Sequence, residues 1–171
     1  MNKIDIQYIN TPVGEMILGA YEGKLCMADW RDRKGREAID KRVQNVLEAT
    51  FIENESSVLV KAKEELEAYF IGTRKIFDVP LLLAGTEFQK SVWQALTKIP
   101  YGTTISYGEL AQKIDHEKAV RAVASAVGAN AISIFIPCHR IVGFDGSLTG
   151  YAGGLDAKKD LFEIENNLFS V

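Results

Sequence analysis

The stretch IFIPCHRIVG, residues 134–143, sets a thiol, an imidazole and a guanidinium on consecutive positions, Cys138, His139 and Arg140, directly after Pro137. A cysteine attacks as its thiolate, and a free thiol with a pKa of about 8.5 is mostly protonated at neutral pH, so a neighbouring base is the usual means of activating it. The spacing therefore points to nucleophilic chemistry at Cys138 with His139 as the base. The competing reading is a small buried apolar residue, the commonest fate of a lone cysteine. Cys26, in KLCMADW, fits that second description, because it lies in an alternating strand pattern with no base beside it. Two unpatterned cysteines make neither a disulfide framework nor a paired-cysteine zinc site.

The elements that must position Cys138 follow from the flanking sequence. AISIFI, residues 131–136, is rich in β-branched residues and predicts a short buried strand that ends at Pro137, which has no N–H for a ladder. On a strand, adjacent side chains face opposite ways, so a bridging water or a local turn must connect Cys138 to His139. Upstream, TEFQKSVWQALTKI predicts a helix capped by Thr86 and burying Phe88, Val92, Leu96 and Ile99. TTISYGELAQKID carries a capping box, Ser106 with Glu109 three residues on, and HEKAVRAVASAVGAN reads as a second short helix after a tight turn at DHE. The pair has the form of a helix-turn-helix. Its second helix is unusual for a sequence reader, since Ala119, Ala122 and Ala124 offer no hydrogen bonds to base edges. Such a helix can approach a groove closely without sequence preference, and Arg121, its one arginine, can act as a wedge between bases.

The N-terminal region reads as strands IDIQYI, MILGAY and LCMADW separated by turns at NTPVGE and EGK, with strand texture to about residue 50. SVLVKAKEELEAYFIG then predicts an amphipathic helix stopped at Gly72. The resulting α+β architecture has an N-terminal sheet-and-helix domain over residues 1–82 and a helical domain over residues 83–171. With 171 residues, 47% hydrophobic and 25% charged, the chain has a globular composition. It lacks a signal-peptide h-region and an apolar run of membrane-spanning length, which predicts a cytoplasmic protein with no membrane contact. A net charge of -3 argues weakly against nucleic acid. Residues 86–140, however, carry six lysines and arginines against four acids, and residues 141–171 carry two against five.

IPCHRIVG followed by DGSLTGYAGGLDAKKDLFEIE, together with GTEFQKSVWQALTKIPYGTTISYGELA and AVRAVASAVGAN, resembles the signature of the O6-alkylguanine-DNA alkyltransferases over nearly all of residues 86–165. TPVGEMILGAYEGKLCMADW is similar to that family's less specific N-terminal domain. The resemblance implies a ribonuclease H-like N-terminal domain, a winged helix-turn-helix C-terminal domain, and single-turnover transfer of an alkyl group from O6-alkylguanine; whether O4-alkylthymine or larger alkyl groups are accepted depends on how GFDGSLTGYAGG folds and is left open by the sequence. It implies that Cys138 is the acceptor, that His139 deprotonates it through water, and that Glu165 orients His139. Asn130 matches the hinge asparagine between the recognition helix and the active-site segment. Tyr107 looks like the tyrosine that rotates the phosphate and protonates the leaving base. Arg121 looks like the arginine that fills the gap left by the flipped nucleotide. Pro137, Tyr151, Ala152 and Gly153 match the wall of the base pocket. The implied partner is duplex DNA, met by a monomer without cofactor. The single N-terminal cysteine and the lack of a histidine before His116 predict no metal site. Ala131 stands where the family usually has proline, which changes the rigidity of that turn and removes no reactive group. Two other classes fit parts of the pattern. A non-enzymatic lesion-recognition protein would lack the cysteine, and an unrelated cysteine hydrolase would leave the helix-turn-helix unexplained.

Overall fold

A computed structural model of the chain describes residues 2–166. The N-terminal half is a four-stranded sheet in the order β3-β2-β1-β4, built from β1 (Asn2–Thr11), β2 (Gly14–Tyr21), β3 (Lys24–Trp30) and β4 (Ala49–Glu53). The first three strands form an antiparallel meander, and β4 joins the outer side of β1 in parallel. In β2, Met16 to Ala20 are all buried, because both faces of the sheet are covered. Met16, Leu18 and Ala20 pack with α2 (Ser57–Phe70) and the C-terminal half, whereas Ile17 packs with Ile39 and Val43 of α1 (Arg36–Leu47). Continuous apolar strands are what such a two-sided environment requires.

The sequence predicts strand texture to about residue 50, and the structure instead holds a twelve-residue helix and the short β4 there. The reason lies in a thin signal. Only Ile39 and Val43, one turn apart, are buried in α1, and its N-cap is Gly35 in the left-handed region with no capping side chain.

The C-terminal half contains α3 (Glu87–Leu96), α4 (Tyr107–Lys113), α5 (Val120–Gly128) and α6 (Leu155–Asn166), with a two-residue parallel pair, β5 (Ile105–Ser106) and β6 (Ile141–Val142), as the wing. Both expected capping residues act as such. Thr86 with Gln89 and Ser106 with Glu109 each close a reciprocal capping box. The two halves share a core. Residues of β2, β3 and α2 form one buried cluster with Trp93, Leu96, Leu110, Val123, Ile136 and Leu161. Backbone bonds cross as well, from Ala28 N to Ala131 O at 2.8 Å and from Ser133 N to Ala28 O at 2.7 Å.

AISIFI is not a strand. Ile132 makes a single bridge with Ala28, and the chain then folds back so that Ile136 N donates to Ile132 O at 2.9 Å. Ile134 at the fold-back has φ 73°, a conformation that costs a β-branched residue about 1–3 kcal/mol. Burial of its side chain, 1% exposed, offsets that strain. No helix among the described residues is long and apolar enough to cross a membrane.

Replacing Thr86 by alanine removes the hydroxyl that accepts from Gln89 N and should cost about 1 kcal/mol. Urea unfolding should show this as a lower midpoint at unchanged slope; an unchanged midpoint would mean that α3 does not depend on its cap.

Candidate active site

Cys138, His139 and Arg140 form a single 3₁₀ turn after Pro137, closed by Arg140 N donating to Pro137 O at 3.0 Å. With three residues per turn, consecutive side chains diverge around the axis instead of alternating, so the local turn that the sequence required is present. Cys138 is 4% exposed and borders a cavity of about 730 Å³ that also meets Tyr107, Ala124, Tyr151 and Trp30. Its Sγ accepts a hydrogen bond from Asn130 Nδ2 at 3.3 Å. Asn130, 1% exposed, is itself fixed by donating to Ile136 O at 3.0 Å and by accepting from Ile132 N at 2.9 Å. Burial pushes the Cys138 thiol up, against the pull of the Asn130 amide and of the Lys158 and Arg33 cations. Burial thus outweighs the neighbours that favour the thiolate and holds the sulfur toward its thiol form.

Behind the cysteine, the Glu165 carboxylate collects five donors. They are Tyr69 Oη at 2.7 Å, Gly102 N at 3.1 Å, His139 Nε2 at 2.5 Å, and Arg140 Nε at 2.8 Å and Nη2 at 3.1 Å. Burial alone would raise this carboxyl, but bonds and charge from His139 and Arg140 outweigh it and bring it to about 2. Burial lowers the His139 imidazole despite Glu165, and Arg140 adds to the lowering, so the ring is neutral at pH 7. A neutral ring that donates Nε2–H to Glu165 carries its lone pair on Nδ1. That atom is buried and has no hydrogen-bond partner among the described residues.

Tyr107, Ala124, Cys138, Tyr151, Ala152 and Gly153 all border the cavity, while Asn130, His139 and Glu165 lie buried behind it. Arg121 and Ala122 are exposed on α5, and Ala119 is its N-cap. Pro137 does not reach the cavity and serves as N-cap of the 3₁₀ turn. Sequence reasoning missed Tyr69, Trp30, Lys158 and Arg33. Lys158 Nζ donates to Thr149 O at 2.6 Å and Gly150 O at 3.3 Å, pinning the loop before Tyr151, and burial lowers its amine to about 8. Arg33 Nη2 donates to Gly128 O at 2.8 Å at the end of α5. Tyr69 lies within the amphipathic helix pattern of SVLVKAKEELEAYFIG, where an apolar position marks it only as core, and Glu165, Tyr151 and Gly128, the partners of Tyr69, Trp30 and Arg33, are distant in sequence.

A carboxyl near 2 in the folded state and 4.5 ordinarily stabilises the fold above the unfolded value and loses that effect as pH falls through the folded one. Wild type should therefore lose on the order of 3 kcal/mol between about pH 5 and pH 2 that Glu165→Gln does not lose. Denaturant titrations across that window check this, and parallel stability curves for the two proteins would refute it.

Two family models divide the chain. The ribonuclease-like domain of 6-O-methylguanine DNA methyltransferase matches residues 5–83, and the DNA-binding domain of 6-O-methylguanine DNA methyltransferase matches residues 87–167. The methylated-DNA-protein-cysteine methyltransferase of Methanosarcina acetivorans is 45% identical over 157 residues, covering 92% of this chain and 95% of that protein. The constitutive methylated-DNA-protein-cysteine methyltransferase of Bacillus subtilis is 42% identical over 161 residues, 91% of each chain. The crystal structure of Mycobacterium tuberculosis OGT in complex with DNA superposes with a TM-score of 0.79 at 38% identity, over 95% of this chain and 92% of that one. Matched along both halves and at these identities, the chain belongs to the 6-O-methylguanine DNA methyltransferase family.

Proposed function

We propose that this protein repairs DNA by moving an alkyl group from O6 of guanine in a duplex to Cys138, once per molecule. The observation that carries the reading is a thiol at the edge of a cavity, with Asn130 donating to its sulfur and a neutral imidazole, locked by a buried carboxylate, beside it. A target atom inside a duplex is out of reach of a buried sulfur, so the nucleotide must turn out of the stack into that cavity. The small side chains of exposed Ala122 and half-buried Ala119 and Ala124 let the helix lie close against the minor groove, and exposed Arg121 occupies the space that the base leaves. Tyr107 opens α4 and also borders the cavity, where it meets the phosphate of the turned-out nucleotide.

The thiol proton passes through water to His139 Nδ1, and Glu165 carries the opposing charge against the imidazolium. The sulfur electron pair attacks the alkyl carbon, an S–C bond forms, and the C–O6 bond breaks with its pair going to the guanine, which takes a proton from Tyr107 as it leaves. Unmodified guanine remains in the DNA. The thioether has no hydrolytic route back, so the sulfur is consumed. Recognition of O6-alkylguanine by a monomer in the cytoplasm completes the reading.

Intact mass after incubation with a duplex carrying one O6-methylguanine should rise by one methylene on Cys138, with repair stopping at one equivalent. Cys138→Ser should show neither. Repair continuing past one equivalent would point to a hydrolase, and lesion binding without a mass change would point to a recognition protein.

A further inference from the structure

We infer that Trp30, a residue of the N-terminal sheet, sets how large an O6 substituent the site accepts. The inference rests on the reading that the cavity beside Cys138 receives the turned-out base. Trp30 ends β3, is 4% exposed and borders that cavity. Its indole Nε1 donates to Tyr151 Oη at 3.2 Å, and the two rings meet edge to face with centroids 6.1 Å apart. Gly153 lies so close that a Cβ there would fall 2.8 Å from the indole Cε2 and Nε1. The loop wall therefore rests on the indole without slack.

Lys158 pins the start of the loop through Thr149 O and Gly150 O, and backbone bonds from Gly154 N to Tyr151 O at 3.0 Å and from Lys158 N to Gly154 O at 3.1 Å close its end. Gly150 and Gly154 both have positive φ, and glycine there imposes no conformation of its own, so the side-chain contact with Trp30 fixes where the wall stands. Trp30 by contrast is rigidly held. It pairs with Met16 across the ladder, its N–H donates to Asp29 Oδ1 at 2.9 Å, and its carbonyl accepts from Arg36 Nη1 at 3.0 Å. Gly14 of the β1-β2 turn closes its other side, with a virtual Cβ 3.5 Å from the ring. A fixed indole facing a glycine-rich loop decides where that loop stands, and Tyr151 stands with it. Tyr151 in turn faces His139, ring centroids 6.5 Å apart, and so bounds the space next to the reacting sulfur. The N-terminal sheet thus reaches into the chemistry through one side chain.

The test compares second-order rates of Cys138 alkylation by duplexes containing O6-methylguanine and O6-benzylguanine for the unaltered protein, Trp30→Ala and Trp30→Phe. Thermal unfolding of each establishes that it is folded. Trp30→Ala should raise the benzyl-to-methyl rate ratio about tenfold, within the range that one hydrophobic wall discriminates. Trp30→Phe keeps an apolar ring and loses the indole N–H, and should raise the ratio about threefold in the same direction. If both rates change by the same factor in a folded variant, Trp30 is only scaffold and the inference fails. If the unaltered protein captures neither group on Cys138, the reading of the cavity itself fails, and the role of Trp30 falls with it.

Discussion

A single buried carboxylate holds this site together. Glu165 on α6 is met by a hydroxyl from α2, a backbone amide from the turn before β5, and a ring and a guanidinium from the 3₁₀ turn. An isolated carboxylate cannot be buried without large cost, so its position requires all of these donors at once. Each donor is thereby fixed by the others. His139 takes one tautomer, Arg140 turns inward to Ile99 O at 2.6 Å as well, and Tyr69 ties the N-terminal sheet-and-helix layer to the catalytic turn. The orientation of the base follows from charge compensation and not from the packing of the imidazole alone.

The same logic explains why the N-terminal half touches the chemistry although it carries no reactive group. Its edge strand β3 needs a partner for its outward N–H and C=O groups, and the segment after Asn130 supplies one through Ala28. That pairing brings Trp30 to the cavity and places Arg33, paired with the buried Asp29, under the end of α5. A guanidinium suits a helix C-terminus, where carbonyls lack intrahelical partners. The end of α5 and Asn130, whose own carbonyl lies 3.3 Å from Arg33 Nη1, are therefore braced from the other half of the molecule.

What the sequence displayed and what it hid divide along chain distance. The proline-thiol-imidazole run, the Thr86 cap and the Ser106–Glu109 capping box are local patterns, whose meaning is complete within four residues, and the structure contains them as read, adding Gln89 as the reciprocal partner of Thr86. The helix α1 escaped because two buried residues and a glycine cap leave almost no periodic trace. The segment 131–136 has strand composition, yet it pairs with β3 only around Ala28, the Asn130 side chain takes Ile132 N and Ile136 O, and Ile134 bends the chain back. Tyr69 and Trp30 find their partners 96 and 121 residues away, and nothing in their own surroundings marks them as more than core aromatics.

A protein that spends its nucleophile must keep it intact until the right substrate arrives, and the electrostatics here serve that need. Thiolates oxidise and react with adventitious electrophiles far faster than thiols. Burial keeps Cys138 protonated, whereas a permanently ionised cysteine would sit exposed to such losses. The groups around the sulfur are fixed beforehand: the Asn130 amide on it, the unpartnered Nδ1 of His139, and the Glu165 carboxylate on that ring's other nitrogen. None of them ionises the thiol at rest, because separating charge in this buried site is unfavourable until an electrophilic carbon takes up the sulfur's electron pair. Reactivity is thus coupled to occupancy of the cavity, and the loop that shapes the cavity decides which carbon can trigger it.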